Sequence, residues 1–65
     1  MMTVEQRIEF HRGQEAIYRE KANRIEEWER ATEQEMDCEF WEAVSHAHRM
    51  RDMARELEQA LEVAA

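Results

Sequence analysis

The stretch Ile25-Glu26-Glu27-Trp28-Glu29-Arg30-Ala31-Thr32-Glu33-Gln34-Glu35-Met36-Asp37-Cys38-Glu39-Phe40 decides how this chain folds. Before it, Val4, Ile8, His11, Glu15, Tyr18, Ala22 and Ile25 recur at alternating spacings of four and three. That is a heptad seam along one helix, with two polar members. After it, Met36, Phe40, Ala43, Ala47, Met50, Ala54, Leu57, Leu61 and Ala64 recur with the same alternation. The two seams do not join in phase. Continued from Ile25, the first passes through Glu29, Thr32 and Met36, then arrives at Glu39 where the second has Phe40. The boundary also carries a start signal. Thr32 with Glu35 has the form of a capping box, and Ala31 and Met36 occupy the staple positions. We therefore expect a turn at about residues 30–32, between helix 1 at about 3–30 and helix 2 at about 32–63, in one domain spanning 1–65. A second architecture satisfies the same pattern: one helix of roughly 90 Å at 1.5 Å per residue. The phase slip is then a stutter in a long coiled coil. The lack of Gly and Pro at residues 29–33 leaves this alternative open.

Composition agrees with an all-α chain. There is no proline and a single glycine, Gly13, and good helix formers dominate. Thr3 and Gln6 make a capping box at the start of helix 1. A chain of 65 residues buries too little apolar surface to be comfortably stable alone. The one cysteine, Cys38, allows no intrachain disulfide, so self-association is the remaining remedy. Phe10, Ile17 and Trp28 widen the helix 1 stripe on one flank, beyond what a two-stranded seam needs. The expected fold is an antiparallel helical hairpin that dimerises into a four-helix bundle. Its oligomerisation residues are expected to be Ile8, His11, Glu15, Tyr18, Ile25, Phe40, Ala47, Met50, Leu57 and Leu61. Buried together on the seam, His11 and Glu15 would make self-association depend on pH near the histidine pKa.

Ala31, Glu33, Gln34, Cys38 and Glu39 resemble the second-helix start of the Rop-like plasmid copy-control proteins. The resemblance spans residues 31–39. It implies a hairpin that dimerises into a four-helix bundle, and RNA binding through helix 1, where this chain has Arg12 and Arg19.

Charge is concentrated in the middle of the chain. Residues 26–42 carry eight acids against Arg30 alone, whereas the segments on either side are close to neutral. Both tryptophans lie inside this acidic segment. An acidic patch with large aromatics suits a basic partner surface, such as the nucleic-acid-binding groove of a larger protein. The expected partner-binding residues are Trp28, Glu29, Glu33, Glu35, Asp37, Glu39 and Trp41. Trp28, near the helix 1 seam, also suits the end of a bundle core. Trp41, on the margin of the helix 2 stripe, is the better exposed anchor. The favoured function is a small acidic protein–protein interaction module, an inhibitor or adaptor of the phage type. The alternatives are a Rop-like RNA-binding regulator and a plain coiled-coil oligomerisation segment.

Other chemistry finds little footing. His46 and His48 are about 200° apart around a helix and cannot chelate one ion together. Glu42 with His46 and His48 with Asp52 read as weak surface pairs at i,i+4. Neither histidine makes an ordered base for Ser45, and the acidic surroundings of Cys38 disfavour its thiolate. We expect no enzyme activity, no cofactor and no metal. A net charge of −7 disfavours direct nucleic-acid binding. No run approaches the roughly 20 apolar residues of a membrane span. Residues 1–5 lack the basic and apolar regions of a signal peptide, so a cytoplasmic protein is expected.

Overall fold

The computed structural model describes residues 1–64 and contains two helices, α1 (Val4–Thr32) and α2 (Asp37–Ala64). Thr3 starts α1 as its sequence suggests. Its hydroxyl accepts from the Gln6 amide at 3.1 Å, and the Gln6 side chain accepts from the Thr3 amide at 2.9 Å. Two amides that lack partners inside the helix are thereby satisfied. α1 then runs unbroken through Gly13 to Thr32.

The turn falls later than the expected residues 30–32, at residues 33–36. Thr32 does not open α2. It closes α1, and its hydroxyl donates to the Trp28 carbonyl at 2.8 Å. A threonine hydroxyl can either accept from an amide ahead or donate to a carbonyl one turn behind, so a capping-box pattern alone cannot choose between them. Glu33 takes the left-handed conformation, φ 57° and ψ 27°, that ends the helix. The Met36 amide donates to the Glu29 carboxylate at 3.3 Å, which ties the loop back onto α1. Asp37 and Glu39 sit in the first turn of α2, where the helix dipole favours negative charge.

The chain folds back on itself, and the single long helix is not the structure. The helices run antiparallel: Arg12 bonds to Glu58, and the Tyr18 ring stacks on His46 at 4.7 Å. The hairpin measures 50 × 17 × 15 Å. Its buried apolar residues are Ala22, Ala43, Ala47 and Ala54, and among the described residues no large side chain is fully buried. Ala43, Ala47 and Ala54 lie one or two turns apart on α2, so the backbones approach closely and the bulky neighbours are displaced sideways. Ile8, His11, Tyr18, Ile25, Phe40, Met50, Leu57 and Leu61 line the seam in half-buried positions. Among the described residues, no helix is long and apolar enough to cross a membrane.

Two backbone substitutions should stabilise the hairpin for opposite reasons. A Cβ added at Gly13 meets nothing within 4 Å, so Gly13→Ala should gain about 0.5–1 kcal/mol of helix propensity. Glu33→Gly should relieve about 1 kcal/mol of left-handed strain, whereas Glu33→Ala, which removes the same charge, should not. Thermal denaturation followed by circular dichroism, at one fixed protein concentration, checks all three.

Candidate protein interaction surfaces

The acidic segment folds into the closed end of the hairpin. Glu33, Glu35, Asp37 and Glu39 are exposed there, and among the described residues none of them is in an ion pair. Glu29 differs: it is half-buried, and its carboxylate holds the Met36 amide, so it closes the loop. Of the other carboxylates near this end, Glu26 is paired with Arg30 at 2.6 Å. Trp41 is 60% exposed and meets Phe40 edge-on at 5.1 Å. An indole this open leaves a large apolar area in water. Beside it, Arg19, Asn23 and Glu26 of α1 face Phe40, Val44 and His48 of α2 across a shallow groove of about 210 Å³. Trp28 is 40% exposed and so belongs neither to a closed core nor to a bare surface. The structure thus gathers Glu33, Glu35, Asp37, Glu39 and Trp41 at one end, as their sequence proximity implies.

Glu15 is the one polar residue among the buried positions, 7% exposed. On the seam of α1, its carboxylate takes Arg12 at 3.0 Å and Arg19 at 2.9 Å, from the turns on either side. Arg12 reaches further and bonds Glu58 of α2 at 2.9 Å. The hydrogen bonds to Glu58 and then Glu15 raise the Arg12 pKa above its ordinary value. Arg19–Glu15–Arg12–Glu58 is therefore one chain of charge that crosses between the helices. Sequence reasoning missed the Arg12–Glu58 link, because partners 46 residues apart leave no local signature. His11 does not join Glu15. Its ring lies edge-on to Phe10 at 5.5 Å, and its buried Nδ1 has no partner.

No family model, curated protein or solved structure matches this chain.

The two broad faces of the hairpin differ in kind. One carries the Arg12–Glu58 bridge and the polar-rimmed groove beside Trp41. The other carries Phe10 and Ile17, 50% and 57% exposed, which with Trp28 form a stripe at spacings of seven and eleven. Such spacings keep side chains within about 20° of one another around a helix. Met53, also exposed, and Leu57 lie beside Arg7 and His11 on this second face. Arg24 pairs with Glu20 at 2.7 Å, so three of the five bases of residues 1–25 are in ion pairs. Among the described residues, no three His, Cys, Asp or Glu side chains converge as metal ligands.

The buried carboxylate gives a sharp mutational contrast. Removing both Arg12 and Arg19 by alanine substitution leaves Glu15 buried without a partner and should lower the melting temperature well beyond the effect of Arg24→Ala. Glu15→Leu removes the buried charge itself and should leave the melting temperature equal or higher. Differential scanning calorimetry of the three variants measures the difference.

Proposed function

We propose that this chain is a small acidic protein–protein interaction module. It acts as a cytoplasmic homodimer, two hairpins joined in a four-helix bundle, and the closed end of each hairpin binds a basic surface of a larger protein. An inhibitor or adaptor of the phage type, directed at a nucleic-acid-binding groove, fits this chemistry best. The observation that carries the reading is Trp41, 60% exposed among the exposed carboxylates Glu33, Glu35, Asp37 and Glu39. The carboxylates would steer a basic partner and meet its lysines and arginines where nucleic-acid phosphates otherwise lie. The indole would supply the desolvated anchor that interfaces concentrate in a few residues. Dimerisation is supported by the all-alanine buried core, which leaves every large apolar side chain with surface still in water. RNA binding through Arg12 and Arg19 is less supported, since both guanidiniums are engaged by carboxylates.

The test is native mass spectrometry of the tagged protein, captured gently from its host lysate, run beside two variants. The wild type should hold a larger protein at defined stoichiometry and release it as salt rises. Reversing Glu33, Glu35 and Asp37 to lysine should abolish capture. Trp41→Ala should weaken it at least about tenfold without lowering the melting temperature. Capture of RNA, or of a protein that the triple reversal retains, would overturn the reading.

A further inference from the structure

The dimer of the preceding section, on which this inference rests, has two broad faces from which to be built. Only one is apolar. Phe10, Ile17 and Trp28 of α1 and Met53 of α2 are all exposed there, in a molecule whose buried apolar residues are only alanines. The opposite face is occupied by the Arg12–Glu58 bridge, which would have to be desolvated under a second copy. We propose that the second copy seats on the Phe10–Ile17–Met53 face with the two hairpins antiparallel, so that the acidic closed end of each lies beside the open end of the other.

Size, register and charge each select this arrangement. A face 50 Å long and 17 Å wide can offer the about 800 Å² per partner that a stable dimer buries. A two-fold axis across the helices passes near the middle of each element, because a closed dimer pairs the same patch with itself. α1 spans Val4–Thr32, so Ile17 lies next to that axis, and α2, spanning Asp37–Ala64, brings Met50 to the same level. Phe10 of one copy then comes level with the last turns of α1 in the other, near Trp28. Ile17 then meets its own counterpart at the axis, and the apolar ends of the two stripes, Phe10 and Trp28, approach each other on either side of it. With the axis along the helices instead, the two closed ends would lie side by side. Each carries eight acids against one base within residues 26–42. At spacings of about 10 Å, comparable to the Debye length, that repulsion is only partly screened. In the antiparallel arrangement each closed end instead faces the open end, residues 1–12 and 53–64, whose five acids and three bases leave a far smaller negative charge.

The native cysteine makes the test direct. Cys38 is the only cysteine, is exposed and sits at the closed end. Sedimentation equilibrium should give a dimer. Pulsed electron–electron double resonance on protein spin-labelled at Cys38 should give one distance of roughly 40 Å, because Cys38 lies twelve residues from Met50 and each residue rises about 1.5 Å on either side of the axis. A dimer with a distance of about 25 Å or less, two or so interaxial spacings, would overturn the antiparallel seating and leave the dimer itself standing. A monomer at tens of micromolar would overturn both. The face is checked separately. Ile17→Glu should yield a helical monomer by circular dichroism and sedimentation, whereas Asn23→Glu on the opposite face should leave the dimer intact. The reverse pattern would overturn the choice of face.

Discussion

The two helices touch through alanine, and the rest of the structure follows from that contact. Ala22, Ala43, Ala47 and Ala54 let the backbones approach so closely that, among the described residues, no large apolar side chain is fully buried between them. The isoleucines, leucines, methionines and aromatics of the seam are accordingly displaced to its edges and half-buried. A two-layer domain normally buries one face of each element against the other. Here the two helices form a single layer, 15 Å thick at the Cα level. The dimer we propose would supply a second layer, because one face exposes Phe10, Ile17 and Met53 without an ion pair between the helices while the other carries the Arg12–Glu58 bridge.

The same close contact fixes what the closed end can be. With the seam in register, Glu29 reaches the Met36 amide, and four residues suffice to reverse the chain. Glu33 adopts a left-handed conformation that glycine would take at lower cost. A strained residue retained at a turn is a reason to look for a use of its side chain. Its carboxylate adds to those of Glu35, Asp37 and Glu39, and the helix N-terminus beneath Asp37 and Glu39 partly offsets their mutual repulsion. Along the helix flanks the opposite holds: Arg24–Glu20, Arg30–Glu26 and the Arg12–Glu15–Arg19 cluster hold their charges in local pairs. The field of the molecule is therefore strongest where its most exposed tryptophan stands.

Much of this was legible in the residues alone. The phase slip between Ile25 and Phe40 implied a break, and the break is there, three to four residues after its expected place. The Thr3–Gln6 capping box formed because its partners are three residues apart and need only a local turn. The Thr32–Glu35 pattern, equal in form, did not, because the helix arriving from the N-terminal side captured Thr32 first. Glu29 looked like one more partner-facing carboxylate until the fold brought Met36 back to it. His11 and Glu15 looked like a pair because they are four residues apart, but Arg12 and Arg19 are as near in sequence and carry the charge that a buried carboxylate requires.

Periodicity, composition and cap chemistry are properties of neighbouring residues, and they determined the helices, the alanine seam and the crowding of acids between the two halves. Tertiary structure alone decided which residues distant in sequence would meet: Arg12 with Glu58, Tyr18 with His46, and Phe10, Ile17 and Met53 together on one uncovered face. A heptad pattern says how each helix is striped. Which side of the stripe stays in water depends on how the second helix is rotated against the first, and that angle is set only when the alanine line of α2 comes into contact with the α1 seam around Glu15 and Ala22.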